Sequence, residues 1–484
     1  MKVEVMPAPS STTRFRFVVL AMLCSLAFLT YLDRICIMRV QGDIERDLGF
    51  AQLTPSDEQS LRDRGLENDD AAREKLSRDR ATQRMSWVFS AFVAGYVLFE
   101  VPGGWLGDVM GARVVIFRIV LWWSLFTGLT GGVKWMAGLF SSAPGPGLFL
   151  GVMVAIRFLF GVGEAGAYPN IARALGRWFP HAERATATSF IWFSSRLGGG
   201  LAPMIIGMLM AVAGDWEKAF WLLGIAGAIW ALLFFWWFRD RPEDQPSVSA
   251  AECREIRGAS TEAGSIYDDA HPSPLRWSAL LTPNLLALDL AQFCVSFCFY
   301  FYITFLPKYL KETFQIEYAQ SQLLTGLPLF CGGVACLIGG RLSDFFIRRN
   351  VSKRWSRSIL PIVGWSAAGI CALIVSQLHS ATAVIVLICV AFAFQDLGVP
   401  STWSVPTDVG GRFAGTVGGC MNMAGAVGGM ISPLAAAKVS IAYGWNATFV
   451  MFGVVYLLGA LAWLRVDASS PMIQASGHQK LRKG

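Results

Sequence analysis

The chain has 484 residues, of which 54% are hydrophobic and 15% charged, with 18 Trp and 34 Phe. Such a composition excludes an ordinary soluble domain and indicates an integral membrane protein, because about 20 apolar residues in a row are needed to cross the hydrocarbon core. The formal net charge of +7 follows from basic loops between spans, so we expect no nucleic-acid partner.

Apolar segments long enough to cross a bilayer recur along the whole chain, and we count twelve. They follow one another closely, and no polar segment between them is long enough to bury a core of its own. The predicted class is therefore an all-α integral membrane protein with no room for a catalytic domain, and we expect it not to be an enzyme. The spans lie at about 17–40, 86–107, 112–133, 147–170, 186–213, 217–238, 284–307, 321–343, 357–377, 381–405, 411–440 and 445–466.

The short loops indicate orientation, because Lys and Arg favour the cytoplasmic side. With both termini in the cytoplasm, the basic loops fall inside, and the loops at 134–146 and 214–218, which are nearly free of Lys and Arg, fall outside. One segment disagrees: residues 41–85 hold eight Lys/Arg and eleven Asp/Glu but must lie outside. We predict that this insert is a solvated, partly helical cap.

A short motif occurs twice, as GGWLGD at Gly103–Asp108 and as GGRLSD at Gly339–Asp344, each at the end of an apolar segment. The alternative to a true repeat is two unrelated helix ends. A repeat indicates two homologous six-span halves that rock about a site between them. Asp108, Arg113 and Asp344 then become candidate gating residues at a cytoplasmic hinge. The predicted units are an N-terminal bundle over 1–238, a cytoplasmic linker over 239–277, a C-terminal bundle over 278–470 and a cytoplasmic tail over 471–484.

Charged residues inside the spans carry most of the functional information, because each is costly unless it faces the bundle interior or a wet cavity with a partner. A guanidinium is always charged, and its planar fork pairs with a carboxylate, so Arg34, Arg157 and Arg196 predict an organic anion as cargo. The alternative for each is an internal salt bridge. The charged residues in spans are Asp33, Arg34, Glu100, Arg118, Arg157, Glu164, Arg196, Asp289 and Asp396.

Coupling to protons would depend on carboxyl groups, since no histidine lies in any span. Burial favours a neutral carboxyl group and a neighbouring arginine favours a charged one, so cargo binding to the arginine changes proton affinity. Arg157 and Glu164 are seven residues apart and share a helix face, about 10 Å apart along the axis. We predict that a protonated Glu164 releases Arg157 to bind the cargo. Protons are then the coupling ion, and no metal or other cofactor is expected, because Cys294 and Cys298 have no histidine beside them.

Seven segments match a known family. They strongly resemble the anion:cation symporter branch of the major facilitator superfamily, which includes bacterial hexuronate, galactonate and glucarate uptake proteins and animal vesicular glutamate and sialic-acid carriers. The resemblance covers nearly the whole chain except the insert and the linker, and it implies twelve helices in two six-helix halves around a central cavity. The segments are Tyr31–Arg34, Phe89–Arg113, Arg157–Asn170, Arg177–Ala187, Ser195–Pro203, Phe301–Leu310 and Gly410–Pro433.

The resemblance also implies roles for individual residues. Asp33 and Glu164 would be the protonation sites, and Arg34 and Arg157 would handle the charge of the cargo. Glu100 stands where the family pattern leads us to expect Gln, which could alter gating or coupling. The further substrate contacts would be Tyr96, Ser195, Ser401 and Asn422.

The seventh span offers Gln292, Tyr300 and Tyr302 and no basic residue near its middle. We therefore predict that the C-terminal half supplies neutral contacts to hydroxyl groups of the cargo, with Tyr300 as a candidate substrate contact. The arginines of the N-terminal half would form the cationic side of the site. We predict a monomeric, proton-coupled symporter that imports a sugar-derived carboxylate (hexuronate, aldonate or aldarate) across a bacterial inner membrane. The alternatives are a non-sugar anion such as an aromatic or dicarboxylic acid, exchange without protons, and a membrane receptor that binds the ligand without moving it.

Overall fold

The computed structural model describes residues 13–257, 275, 277–316 and 318–469. The described residues leave out 1–12, 258–274, 276, 317 and 470–484. These ranges include part of the predicted linker and the whole predicted tail 471–484. Helices account for nearly all of the rest, and they divide into an N-terminal and a C-terminal set on either side of the linker.

The N-terminal set has ten helices. The first four are α1 (Phe15–Arg39), α2 (Gln41–Asp47), α3 (Pro55–Asp63) and α4 (Asp70–Met110). They are followed by α5 (Ala112–Gly131), α6 (Val133–Gly138), α7 (Pro146–Glu164), α8 (Ala167–Trp178), α9 (Arg184–Ala213) and α10 (Trp216–Trp237).

One short helix, α11 (Ala250–Arg257), belongs to the linker. The C-terminal set contains α12 (Pro283–Phe314), α13 (Tyr318–Arg348), α14 (Lys353–Val375), α15 (Ala381–Val409) and α16 (Ala414–Trp463).

Eleven helical segments of the described chain are long and apolar enough to cross a membrane. The last of them contains two spans, because Gly444 has a non-helical backbone (φ 82°, ψ 176°) that breaks the fifty-residue α16. The structure therefore has the twelve spans that the sequence predicts. Another break lies between α7 and α8 at Gly166, whose φ of +86° strongly favours glycine.

The insert between the first two spans forms a helical cap on the N-terminal half. Thr54 and Asp57 make a reciprocal capping box at the start of α3, and Arg80 Nε donates to Asp57 Oδ1 at 2.8 Å. Ile44 and Phe50 are fully buried beneath it. Helix α4 runs without interruption from the cap into the second span, so the span has no helix boundary near the predicted residue 86.

The linker and both ends of the described chain lie at one end of the bundle, which we call the linker face. Thr13 Oγ1 donates to Glu252 Oε2 of α11 at 2.6 Å, and the backbone N–H of Arg16 donates to Glu252 Oε1 at 3.0 Å. At the start of α12, Asn284 Nδ2 donates to the carbonyl oxygen of Asp467 at 2.9 Å. The even number of spans accounts for this arrangement.

Candidate functional site

A cavity of about 90 Å³ lies between the two halves. At about 30 Å³ per water molecule, it has room for only a few waters, so a six-carbon cargo needs a wider cavity than this conformation offers. Five of the predicted substrate contacts line it: Arg34, Tyr96, Arg196, Tyr300 and Asn422.

Arg34 pairs with Glu164 at the wall of this cavity. Its Nη2 and Nε donate to Glu164 Oε1 at 2.6 and 3.1 Å, and its guanidinium carbon lies 4.8 Å from the centre of the Tyr96 ring. The sequence predicted that Glu164 interacts with Arg157 and releases it when Glu164 is protonated. In the structure Glu164 instead bonds Arg34, which α1 brings to it, and no hydrogen bond joins Glu164 to Arg157 among the described residues.

Arg157 and Asp33 lie behind the cavity wall. Arg157 is 2% exposed, its guanidinium carbon lies 4.6 Å from the centre of the Phe160 ring, and its Nε finds no hydrogen-bond partner in the described chain. Asp33 is also buried and interacts electrostatically with both Glu164 and Arg157. Two acids therefore surround this buried cation, out of direct reach of cargo in the conformation described.

Glu100 links the two halves beneath the cavity. It is fully buried, its Oε2 accepts from the backbone N–H of Gly166 at 3.0 Å, and its Oε1 accepts from Asn422 Nδ2 at 2.6 Å. Asn422 also donates to the Tyr96 hydroxyl at 2.8 Å. The carboxylate oxygens of Glu100 thus join α4, the start of α8 and α16.

Arg196 forms a second ion pair at the cavity, with Asp396 from the other half. Nη2 and Nε of Arg196 donate to Asp396 Oδ2 at 2.8 and 3.2 Å. Gln395 Nε2 donates to the other oxygen, Oδ1, at 2.9 Å, and the Tyr456 hydroxyl donates to Gln395 Oε1. Sequence reasoning noted Asp396 as a charge in a span but assigned it no role, and it missed Gln395 and Tyr456.

The two predicted serines are placed differently from the other contacts. The hydroxyl of Ser195 hydrogen-bonds the Tyr168 hydroxyl at 2.7 Å and donates to the carbonyl oxygen of Ile191, so it is buried within the N-terminal half. Ser401 Oγ is buried without a hydrogen-bond partner among the described atoms. Neither serine lines the cavity.

The repeated motif makes equivalent contacts across the molecule at the linker face. Asp108 accepts from the backbone N–H groups of Gly415 and Thr416 at 2.9 and 2.6 Å. Asp344 accepts from those of Ala185 and Thr186 at 3.2 and 2.7 Å. Each aspartate therefore caps the first turn of a helix in the opposite half, where a negative charge is favourable.

Glycines in the motif allow this close approach. A Cβ atom at Gly104 would lie 2.2 Å from the carbonyl oxygen of Gly415, and one at Gly340 would lie 2.5 Å from that of Ala185. Arg113, the third predicted gating residue, stays within its own half, where its guanidinium donates to the carbonyl oxygen of Phe235.

An ionic cluster that sequence reasoning missed also joins the halves at the linker face. Asp408 accepts from Arg184 Nη1 at 2.9 Å and from Arg357 Nε at 2.8 Å, and Arg357 Nη2 donates to the carbonyl oxygen of His181 at 3.1 Å. The only sequence signal was the basic character of these loops, which gives no partner. Together with the capping aspartates, the cluster closes the linker face in this conformation.

A larger cavity, of about 940 Å³, is a groove between α1, α9 and α13. Its wall is mainly apolar, with Phe17, Leu20 and Phe345 among its residues. None of the buried ion pairs described above lies in it. We therefore place the candidate substrate site in the smaller cavity between the halves.

Comparison with known proteins identifies the family. The model of the Major Facilitator Superfamily matches residues 23–433 and 288–483. The chain belongs to this superfamily. The resemblance read from the sequence is thus confirmed, and so are the all-α membrane fold and the expectation of a transporter rather than an enzyme.

Similar members of the superfamily are transporters of small organic anions. The chain is 30% identical over 455 residues to the probable sulfoacetate transporter of Cupriavidus necator, covering 93% of this chain and 94% of that one. It is 28% identical over 467 residues to the probable galactarate/D-glucarate transporter of Bacillus subtilis, covering 95% and 92%. The chain is therefore a multi-pass membrane protein of this transporter superfamily.

The fold is shared with more distant members of the superfamily. The crystal structure of the human organic anion transporter MFSD10 matches with a TM-score of 0.66 at 16% identity, covering 93% of this chain and 100% of that one. At this identity, the match supports the two-half architecture alone.

Proposed function

We propose that this transporter is a proton-coupled symporter that imports a sugar-derived organic anion by alternating access. The observation that carries the proposal is the pair formed by Arg34 and Glu164 at the wall of the central cavity. A relative named as a probable galactarate/D-glucarate transporter supports a sugar acid as cargo.

The pair gives a direct route to coupling. An acid group of the cargo and the carboxylate of Glu164 compete for the same guanidinium, so cargo binds best when Glu164 carries a proton. Cargo and proton therefore enter together and leave together. If one net charge crosses per cycle, a potential of 100 mV supplies about 2.3 kcal/mol, or roughly fifty-fold accumulation.

Alternating access would follow from the contacts at the linker face. Opening the cavity toward that face requires the capping hydrogen bonds of Asp108 and Asp344 and the Asp408 cluster to break. We assign the linker face to the cytoplasm of a bacterial inner membrane, as the basic loops indicate, with both termini inside and the monomer as the working unit.

A non-sugar anion is the second candidate cargo. The specific observation in its favour is the relative named as a probable sulfoacetate transporter, which is 30% identical over almost the full length of both chains. Aromatic and dicarboxylic acids fall in the same class. A sensor that binds the anion without turnover is the remaining alternative.

Uptake by the purified protein in proteoliposomes tests the proposal. We expect galactarate, galactonate or glucuronate to accumulate when the lumen is more alkaline than the bath, and accumulation to vanish when a protonophore is added. Arg39→Gln, which alters an exposed arginine at the end of α1, should behave as wild type, whereas Arg34→Gln should not accumulate cargo. Binding with background flux would identify a sensor, and flux that ignores the pH gradient would contradict proton coupling.

A further inference from the structure

The central cavity has two arginines in its wall, and each is built into the protein in the same way. Arg34 forms an ion pair with Glu164, and Arg196 forms one with Asp396. The side chains of the arginines are 16% and 11% exposed, whereas those of the acids are 1% and 0% exposed. The acids are therefore more deeply buried than the guanidinium groups. Both guanidinium groups line the cavity, and Asp396 lines it beside Arg196.

The hydrogen bonding of the two pairs is also the same. In each, Nε and Nη2 of the arginine donate to a single carboxylate oxygen. A guanidinium has five N–H donors in a fixed plane, so this geometry leaves donors for a second acceptor.

Aromatic rings hold both guanidinium groups in place. The guanidinium carbon of Arg34 lies 4.8 Å from the centre of the Tyr96 ring, and that of Arg196 lies 4.4 Å from the centre of the Phe299 ring. A stacked guanidinium keeps its plane fixed, which suits a planar two-oxygen acid group. The cavity wall thus contains two guanidinium groups, those of Arg34 and Arg196, that are held in place and can each bind an anion.

We propose that the cargo is a dianion whose first acid group binds Arg34 and whose second binds Arg196. The inference rests on the proposed function and narrows its substrate class, since aldonates and hexuronates carry one acid group and aldarates carry two. Asp396 is a positioning residue, because it holds Arg196 through two hydrogen bonds and, as an anion itself, offers no bond to a cargo carboxylate.

The second pair further differs from the first in joining the two halves. Arg196 belongs to α9 and Asp396 to α15. Gln395 donates to the other oxygen of Asp396, and Tyr456 of α16 donates to Gln395. A cargo acid group on Arg196 would draw the guanidinium from Asp396 and weaken a contact between the halves. A dianion therefore weakens a contact that must change when the two halves rock. A monoanion that binds only Arg34 leaves this contact intact.

Two matched pairs of ligands test the proposal on the full-length protein. Galactarate differs from galactonate by a carboxylate in place of a hydroxymethyl group, and succinate differs from its monoamide, succinamate, by one charge. We expect the wild type to bind the dianion of at least one pair about ten-fold or more tightly than the monoanion, as a charge-assisted hydrogen bond provides. Isothermal titration in detergent gives the affinities, and uptake in proteoliposomes gives KM and kcat.

Variants of the second pair locate the effect. Arg196→Gln should weaken dianion binding about ten-fold more than monoanion binding, so that the dianion preference falls to near one, and Arg196→Lys should restore part of the preference. Asp396→Asn should raise KM for the dianion more than for the monoanion, and Asp396→Glu should recover it. Arg39→Gln should leave both ratios unchanged.

The outcomes separate this inference from the proposed function. If the wild type binds both members of both ligand pairs with equal affinity, the proposal of a dianionic cargo is overturned. The proposed anion transport is unaffected by that result. Equal loss of both ligands in Arg196→Gln, with Tm unchanged, would make Arg196 a structural residue and also overturn the assignment. A wild type that binds and transports none of the four probes, nor any other organic anion, would remove the proposed function as well.

Discussion

Arg34 on α1 and Glu164 on α7 form an ion pair at the wall of the central cavity, with Nη2 and Oε1 2.6 Å apart. Glu164 Oε2 is buried and has no hydrogen-bond partner in the described residues. A buried carboxylate with one oxygen unpaired is costly, and adding a proton there lowers that cost. Under the proposed function, Glu164 takes up a proton when the cargo binds Arg34.

Glu164→Gln is expected to separate cargo exchange from accumulation. The amide cannot release a proton but still fits beside Arg34, so exchange of internal for external cargo should continue, while uptake driven by a pH gradient should fall at least about ten-fold. Both rates are measured in the same proteoliposomes with labelled cargo. Glu74→Gln, on the exposed surface of the insert, is the matched control. Unchanged gradient-driven uptake would remove Glu164 from the coupling role.

Arg34→Gln and Arg157→Gln should fail in different ways. Loss of Arg34 removes a group that lines the cavity, so we expect cargo affinity to fall by about ten- to a hundred-fold with a modest change in Tm. Loss of Arg157 leaves Asp33 without its buried cation, which typically costs about 3–5 kcal/mol. Thermal unfolding and titration of each variant check this.

A double variant makes the Arg157 prediction sharper. Adding Asp33→Asn to Arg157→Gln removes the uncompensated charge of Asp33 and should recover part of the lost Tm. No recovery would show that Arg157 and Asp33 are energetically independent. An affinity loss in Arg157→Gln as large as that in Arg34→Gln, at equal Tm, would place Arg157 in contact with the cargo.

Asp108→Asn and Asp344→Asn are expected to open the linker face. Each substitution keeps the shape but removes a charge that caps a helix in the opposite half and pairs with a buried arginine, Arg173 or Arg357. The cost therefore exceeds the ~1 kcal/mol of a cap alone. Labelling of a cysteine placed in the central cavity should become faster from the linker face in both variants. Asp63→Asn, at the end of α3 in the insert, serves as control. Equal labelling rates in all three would show that the repeated aspartates do not hold the gate.

The insert should show a pH dependence of its own through Asp57. Burial opposes ionisation of this carboxyl group, but hydrogen bonds from Thr54 and Arg80 outweigh it and hold the pKa of Asp57 below its usual value. Its stabilising contribution is therefore present above a pH of about 3.9, the ordinary pKa of Asp, and is lost as the pH falls through the lowered pKa.

Limited proteolysis of the insert measures this effect. Wild type should resist cleavage more than Asp57→Asn at pH 7, and the difference should shrink as the pH is lowered below about 4. Asp63→Asn again provides the control. A difference that stays constant over this range would mean that the charge of Asp57 does not hold the cap together.

The amino-acid sequence determined the class, the spans and the division into halves. Hydropathy acts over a local stretch of chain, so each span is visible without knowledge of its neighbours. The repeated motif around Asp108 and Asp344 fixed the relation between the halves, and the cost of a charge in a membrane singled out Arg34, Arg157 and Glu164. The sequence also separated the last two spans, at 411–440 and 445–466, and the break of α16 at Gly444 lies between them.

Only the tertiary structure shows which charged residues form ion pairs with each other. Helical periodicity gives the face of a helix on which a residue lies, but not the helix that faces it or its rotation. Glu164 therefore looked like the partner of Arg157 on its own helix, whereas packing brings Arg34 from α1 to it. The contact of Arg196 with Asp396 depends in the same way on how α9 and α15 approach, because it joins residues 200 positions apart.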